Sequence, residues 1–187
     1  MNKLTIAFIS MICMILCGEE VSAQKWSVGV NAADMLDLMT IDIEGSYAPI
    51  DHLTINLGAE VNPWIFNKGK SNQMQNRKQT YNAGVRYWWN KVYSGWWTGA
   101  GIQYREYNHG GIIGNETEEG DSYGIELNGG YSLTLAEHFN MEFGLGLWGG
   151  YKTYTAYACP QCGKVTNSGN KWFLMPNDLT IGLVWTF

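Results

Sequence analysis

Eight segments of the chain alternate between apolar and polar residues, and this period of two constrains the fold more than any other feature. In the last segment, residues 179–187, Leu179 and Ile181 share one face while Thr180 and Gly182 share the other. The segments cover residues 26–33, 40–48, 52–62, 79–89, 95–107, 121–133, 138–155 and 171–187. No helical period separates them, so the pattern predicts an all-β antiparallel fold and excludes a βαβ fold.

The amino terminus has the features of a secretory signal peptide. Lys3 supplies a positive charge, an apolar run follows from Leu4 to Cys17, and Ala23 ends a small-residue cleavage site. The interpretation assigns residues 1–23 to a signal peptide and residues 24–187 to the mature domain. A lipoprotein anchored at Cys17 is the alternative, although the residue before that cysteine is a leucine, which is too large for the usual cleavage site.

Composition excludes several classes of function. The formal net charge is -5, and no basic stripe interrupts the chain, which argues against a nucleic-acid partner. Charged residues make up only 16%, which is too few for a disordered segment. After Ala23 no run approaches the ~20 apolar residues of a membrane helix. A membrane location would therefore require a closed β-barrel.

The connections between segments alternate between short and long. Short turns follow residues 48, 89 and 133, whereas the long loops cover residues 67–78, 108–120 and 156–170. Outer-membrane barrels place short turns in the periplasm and long loops outside the cell. The sequence therefore predicts an eight-stranded antiparallel up-and-down transmembrane β-barrel, multi-pass in the cell outer membrane, with both termini periplasmic.

Aromatic residues gather at the two ends of the segments, with aliphatic residues between them. Two aromatic belts around an aliphatic band match the two interfaces of a membrane, whereas a soluble β-barrel or sandwich, the alternative, has no reason to sort its aromatics by height. The predicted belt at the short-turn end includes Trp26, Trp89, Trp96, Trp185 and Phe187. At the long-loop end the aromatics are Trp64, Phe66, Tyr81, Tyr104, Tyr123, Tyr151, Trp172 and Phe173.

The opposite face of the segments mixes glycines with charged residues. An eight-stranded barrel has an interior only just wide enough for side chains, so small residues let its walls approach and buried charges must pair across it. We therefore predict one lumen charge network formed by Glu44, Glu60, Arg86, Arg105, Glu126 and Glu142.

Several short motifs occur in the order typical of a domain-of-unknown-function family of small outer-membrane barrels in Gram-negative anaerobes. They are Asn62-Pro63-Trp64, Arg86-Tyr87-Trp88, Gly110-Gly111, the Cys-x-x-Cys-Gly of residues 159–163, and an apolar last strand that ends at Phe187. The chain resembles this family over nearly its whole mature length, and it resembles the OmpA/OmpX type in architecture. Met175-Pro176-Asn177 stands where the family usually has Gly-Pro-Thr. The resemblance implies a fold and a location, and it implies no activity.

The mature chain keeps only two cysteines, Cys159 and Cys162, in a Cys-x-x-Cys spacing. This spacing is compatible with a loop disulfide, half of a zinc site or a redox pair. Zinc requires four ligands, and neither a second pair nor a nearby histidine is present. In the oxidising compartment outside the inner membrane we predict a local disulfide, with metal binding as the alternative.

No catalytic site, cofactor or metal is predicted. His109 lies in a predicted outer loop near Ser122 and near Glu118 or Glu119, but no motif joins them into a triad. The predicted function is that of a structural or surface-interaction barrel, and a lipid-modifying enzyme or a narrow pore are the alternatives. The expected partners are outer-membrane lipid, the barrel assembly machinery and an unknown extracellular ligand, and we expect a monomer.

Overall fold

A computed structural model describes residues 24–70, 72–112 and 114–187, and the predicted signal peptide lies outside these ranges. Within them the elements are β1 (Trp26–Asn31), a 3-10 helix η1 (Ala32–Leu36), β2 (Ile41–Ile50), β3 (Leu53–Asn62), β4 (Ile65–Phe66), β5 (Met74–Trp88), β6 (Gly95–Gly110), β7 (Thr117–Ala136), β8 (Phe139–Tyr157) and β9 (Val165–Thr186). None of the helices in these ranges has both the length and the apolar character needed to span a membrane.

Eight of the strands form an antiparallel, up-and-down sheet that closes into a ring. Each strand pairs with the next along the chain, and β3 pairs directly with β5 because β4 is only a short extension beside β5. The last strand then returns to the first, where Trp185 lies opposite Val28. The predicted all-β antiparallel order of eight strands is confirmed.

The outer face of the ring is apolar and its inner face is polar. Ile102 and Leu145 project outward and are 66% and 69% exposed. The inner face is identified by Arg86 on β5, which contacts Glu44 on β2 and Glu142 on β8. Because these three strands are not neighbours in the sheet, such contacts can only cross the interior. A soluble β fold would have the reverse arrangement, with its apolar face buried.

The strands extend further into the long connections than the sequence predicts. The three predicted long loops shrink to residues 67–73, 111–116 and 158–164. A row of polar side chains supports the added length: Asn108 joins Gln75 and donates to Glu119 at 2.8 Å, and Tyr157 donates to Glu119 at 2.5 Å. Cross-strand hydrogen bonds of this kind stabilise a sheet without apolar alternation, which is why the sequence pattern missed them.

Strand β1 ends two residues earlier than predicted, because Asn31 starts the helix η1. The Asn31 side chain accepts a hydrogen bond from Ala33 N at 3.1 Å, as is typical of a helix N-cap. The same side chain donates to Leu179 O at 3.1 Å and accepts from Ile181 N at 2.9 Å. Asn31 therefore joins β9 at the point where strand pairing with β1 stops.

Candidate functional site

The charged residues of the interior form two clusters. The lower cluster, nearer the short turns, is centred on Arg86. Arg86 Nη2 lies 2.8 Å from Glu44 Oε2, and Nη1 lies 3.3 Å from Glu142 Oε2. Only 4% of the Glu142 side chain and 12% of the Arg86 side chain are exposed. Charges so deeply buried require partners, and Arg86 supplies one to two carboxylates at once.

The upper cluster, nearer the long loops, contains Lys78, a cation that the predicted network does not include. Lys78 Nζ lies 2.8 Å from Asp37 and 3.1 Å from Glu60. Arg105 lies 3.8 Å from the same Glu60 carboxylate and donates to Asn177 at 3.1 Å. The predicted lumen network omits Lys78 because the sequence pattern assigns this residue to a loop. In the structure it lies on the inner face of β5.

The six predicted lumen residues are therefore all inside the ring but are divided between two clusters. Glu44, Arg86 and Glu142 belong to the lower cluster, while Glu60 and Arg105 belong to the upper one. Glu126 lies between them, with its Oε2 atom 3.0 Å from the side-chain amide of Gln103.

Three tryptophans fill much of the remaining interior, and each is 1% exposed. They are Trp88, Trp97 and Trp148. The Arg86 guanidinium lies 4.4 Å over the Trp97 ring, and that of Arg105 lies 4.7 Å over Trp148. Trp88 packs with Trp97 and with Tyr93 of the β5–β6 turn, and these residues close the lower end of the ring. Stacking on indole faces stabilises the two cations at sites shielded from water.

The positions of these tryptophans could have been found from the alternation alone. Trp97 shares the parity of Gly99 and Gln103 on β6, which places it on the inner face. The predicted lumen network contains charged residues only, so Trp97 is absent from it. Phe173 is predicted to lie in the outer belt. Its ring instead contacts Trp148 inside the ring of strands, with ring centroids 4.6 Å apart.

Glycines on β7 and β8 make room for the Trp97 ring. A Cβ atom on Gly130 would meet Trp97 Cζ2 at 2.8 Å, and one on Gly144 would meet the same atom at 3.1 Å. A side chain on Gly144 would push the indole away from Arg86, whereas one on Gly130 would first meet the carbonyl oxygen of Phe143. These contacts explain why glycines, which have no side chain, lie opposite Trp97.

We expect Gly144→Val to destabilise the ring by about 1–3 kcal/mol, because overpacking forces neighbouring side chains from their preferred rotamers. Chemical unfolding followed by tryptophan fluorescence measures the change. Gly45→Val is the matched control, because a Cβ there meets only Ser27 O, at 3.9 Å. Equal effects of the two substitutions would contradict the role assigned to Gly144.

The predicted belt residues lie on the outside of the ring at its short-turn end. Trp26, Trp89, Trp96 and Trp185 are 53%, 62%, 63% and 42% exposed, and Phe187 is partly buried. Phe187 is bonded through its backbone to Trp26, with N···O distances of 2.9 Å in both directions. At the other end, five neighbouring strands carry outward aromatics in one register: Tyr81, Tyr104, Tyr123, Tyr151 and Trp172.

Cys159 and Cys162 form a disulfide in the β8–β9 loop, with Cα atoms 5.5 Å apart. Gln161, between them, reaches across the open end of the ring to the β4–β5 loop, where its amide lies 3.0 Å from Gln73 Oε1. Among the described residues, no group of three or more His, Cys, Asp or Glu side chains is arranged to hold a metal ion.

We expect reduction of this disulfide to leave the ring folded, because closing so short a loop contributes at most about 2 kcal/mol through chain entropy. Mass spectrometry after alkylation should show two labelled thiols only when a reductant is present, while far-UV circular dichroism should keep its β signal. Labelling without reductant, or loss of the β signal on reduction, would contradict this expectation.

His109, Ser122 and Glu118 lie on strands rather than in a loop, and they do not form a triad. Glu118 is the cross-strand partner of His109, whereas Ser122 is the partner of Arg105. Four residues of β6 therefore separate the histidine from the serine, roughly 13 Å at ~3.3 Å per residue. Hydrogen-bond reach between a nucleophile and its base is far shorter.

Glu118 instead holds together a polar cluster above the Tyr104–Tyr123 pair. Its Oε1 atom accepts from Lys152 at 2.6 Å and from Tyr107 at 2.7 Å. Burial alone would raise the pKa of Glu118, but these two hydrogen bonds outweigh it and hold the pKa below its ordinary value. Burial lowers the pKa of His109, whose ring stacks on Tyr107. At neutral pH the carboxyl is thus ionised and the imidazole is neutral.

A cavity of about 620 Å³ lies at the long-loop end of the ring. Its lining is mostly polar and includes Arg77, Glu106, Asn108, Asp121 and Thr153. In the middle of the ring, by contrast, the space around Arg86 and Glu142 measures only about 60 Å³. The larger of these two spaces therefore lies where the strands extend furthest.

No curated protein shows significant similarity to the chain. A family described as "Protein of unknown function (DUF3575)" matches it over residues 9–187, which is nearly its whole length. The chain therefore belongs to the DUF3575 family.

Proposed function

We propose that the protein is an eight-stranded β-barrel of the OmpA/OmpX type that spans the bacterial outer membrane and acts as a structural or surface-interaction protein. The observation that carries the proposal is the inverted polarity of the ring. Its outer face exposes aliphatic side chains on every side, and its inner face holds paired charges. In water this arrangement would expose the apolar face and bury the ion pairs at a cost, whereas a bilayer covers that face.

The spacing of the outward aromatics supports the same proposal. Tyr81 and Trp89 bound nine residues of β5 and its turn, as do Trp96 and Tyr104 on β6 and Tyr123 and Tyr131 on β7. A tilted transmembrane strand requires about 9–11 residues. The aliphatic band between these aromatics thus has the height of a bilayer core. The Glu118 cluster lies beyond it, outside the proposed span.

The interior supports a closed barrel rather than a pore. The two ion clusters and the three tryptophans fill much of it, and the space around Arg86 measures only about 60 Å³. The wide polar cavity at the other end would face the outside of the cell, because long hairpins are extracellular in outer-membrane barrels. Its position supports a surface-interaction role, with outer-membrane lipid around the wall and an extracellular ligand above it.

Heat-dependent migration on a denaturing gel tests the proposal. Closed barrels resist detergent until they are boiled, so the unheated protein from envelope fractions should migrate faster than the heated protein. The heated sample of the same fraction is the control. Identical migration with and without heating, together with recovery in the soluble periplasm, would contradict the proposal.

A further inference from the structure

Strands β1 and β9 close the ring over only part of its height. Residues Ser27–Asn31 pair with Gly182–Thr186, and the chain then leaves the sheet as η1. Strand β9 continues upward to Val165, and above Gly182 its only strand partner in the described chain is β8. Beyond the bonds of Asn31 to Leu179 and Ile181, η1 packs against β9 without a β ladder. We name this junction of η1 and β9 the seam.

A cavity of about 140 Å³ lies directly behind the seam. Both sides of the seam line it, since Asp37 follows η1 while Phe173 and Met175 belong to β9. These two β9 residues and Trp148 give the cavity an apolar side. Its other side carries the cations Lys78 and Arg105. The cavity therefore joins an apolar side to a charged end, where Lys78 and Arg105 meet the carboxylates of Asp37 and Glu60.

Trp148 points to a ligand at this position. Its side chain is 1% exposed, and its Nε1 atom has no hydrogen-bond partner among the described residues. Buried donors are almost always paired, so an acceptor bound in the cavity would satisfy this N–H. The Arg105 guanidinium lies 4.7 Å over the same ring. A neutral donor and a cation thus stand together, as a carboxylate ligand requires.

The outer surface of the seam is apolar. Met35 and Leu36 on η1 are 65% and 81% exposed, and Leu174 on β9 is 75% exposed. In a bilayer these side chains would face acyl chains, so a hydrocarbon tail could lie across the seam without meeting water. Above the bonds of Asn31, no β ladder joins η1 to β9 in the described chain.

We propose that the cavity behind the seam binds the carboxylate end of a single-chain fatty acid, which enters sideways from the membrane between η1 and β9. The inference rests on the membrane location proposed above. The cavity has room for the head group and the first few methylenes, while the rest of the tail remains in the seam. Arg105 lies 3.8 Å from Glu60, a longer contact than the 2.8 Å and 3.1 Å contacts of Lys78, so its guanidinium is the cation assigned to the head group.

Native mass spectrometry with dodecanoate tests the proposal on protein that has first shown the heat-dependent gel shift. Wild-type protein should take up one dodecanoate per chain in a saturable manner. Met175→Trp should fill the cavity and weaken binding at least tenfold. Ile102→Trp, on the outer face of β6 and away from the seam, is the matched control and should bind like wild type.

Trp148→Phe keeps most of the ring but removes the N–H, so we expect about tenfold weaker binding of dodecanoate and little change in binding of uncharged dodecanol. This variant also tests the inference if Met175→Trp does not fold. Absence of saturable binding to shifted wild-type protein would overturn the inference while leaving the proposed barrel intact. Equal effects of the substitutions at 102 and 175 would overturn it too. A protein without the gel shift contradicts the proposed function itself.

Discussion

Arg86→Met is expected to destabilise the protein by about 3–5 kcal/mol, the typical cost of removing one partner of a buried ion pair. Glu142 has only 4% of its side chain exposed, so water cannot replace the lost guanidinium. Glu44 loses the same partner, and Trp97 loses the cation stacked on it. The effect should exceed that of most single substitutions, because two carboxylates lose their cation in a confined interior.

Urea titration of the protein folded in detergent micelles, read as the fraction that keeps the unheated gel mobility, measures this loss. Arg77→Met is the control, because Arg77 is an exposed arginine on the same strand, and it should change stability by less than about 0.5 kcal/mol. Adding Glu142→Gln to Arg86→Met should recover part of the loss, since it removes one unpaired charge. An Arg86→Met protein as stable as wild type would show that the lower cluster does not hold the interior together.

Leu127→Arg is expected to cost about 2–4 kcal/mol if the ring lies in a bilayer, and close to nothing if its outer face meets water. Leu127 is 59% exposed and lies midway between Tyr123 and Tyr131 on β7, at the centre of the proposed aliphatic band. An exposed leucine in water tolerates an arginine, whereas the middle of a membrane strongly disfavours one. The substitution therefore distinguishes the two environments.

Folding of Leu127→Arg into lipid vesicles, compared with wild type by the same urea titration, provides the measurement. Thr153→Arg is the control, because Thr153 is also exposed but lies beyond Tyr151, above the proposed span. We expect the control to match wild type. Similar behaviour of both variants and wild type would indicate that water surrounds the outer face at the height of Leu127.

The sequence predicts strands and faces well because a period of two is a local property. The inward position of Glu44, Arg86 and Glu142 follows directly from alternation, and so does the outward position of Trp96. The strand ends nearest the long loops lack this apolar alternation. There Asn108 and Glu119 hold strands together through side-chain hydrogen bonds, and polar residues of this kind are equally common in loops.

Contacts between distant parts of the chain could not be predicted from the pattern. Asp37 reaches Lys78 only because η1 turns the chain inward after Asn31. The division of the lumen charges into two clusters depends on the volumes of Trp97 and Trp148, which stack on one arginine each. Such details require the register of the whole ring, and no local stretch of sequence contains it.

Pairing between β1 and β9 has a consequence for the order of folding. Every other pairing of the ring joins strands that follow one another along the chain, so each can form as a local hairpin. Closure instead unites Asn31 with Ile181, which are 150 positions apart. Contacts of such high contact order form late, after the entropy of a long loop has been lost. The chain must therefore pass through an open sheet with two unprotected edges, and this intermediate is the state most vulnerable to aggregation.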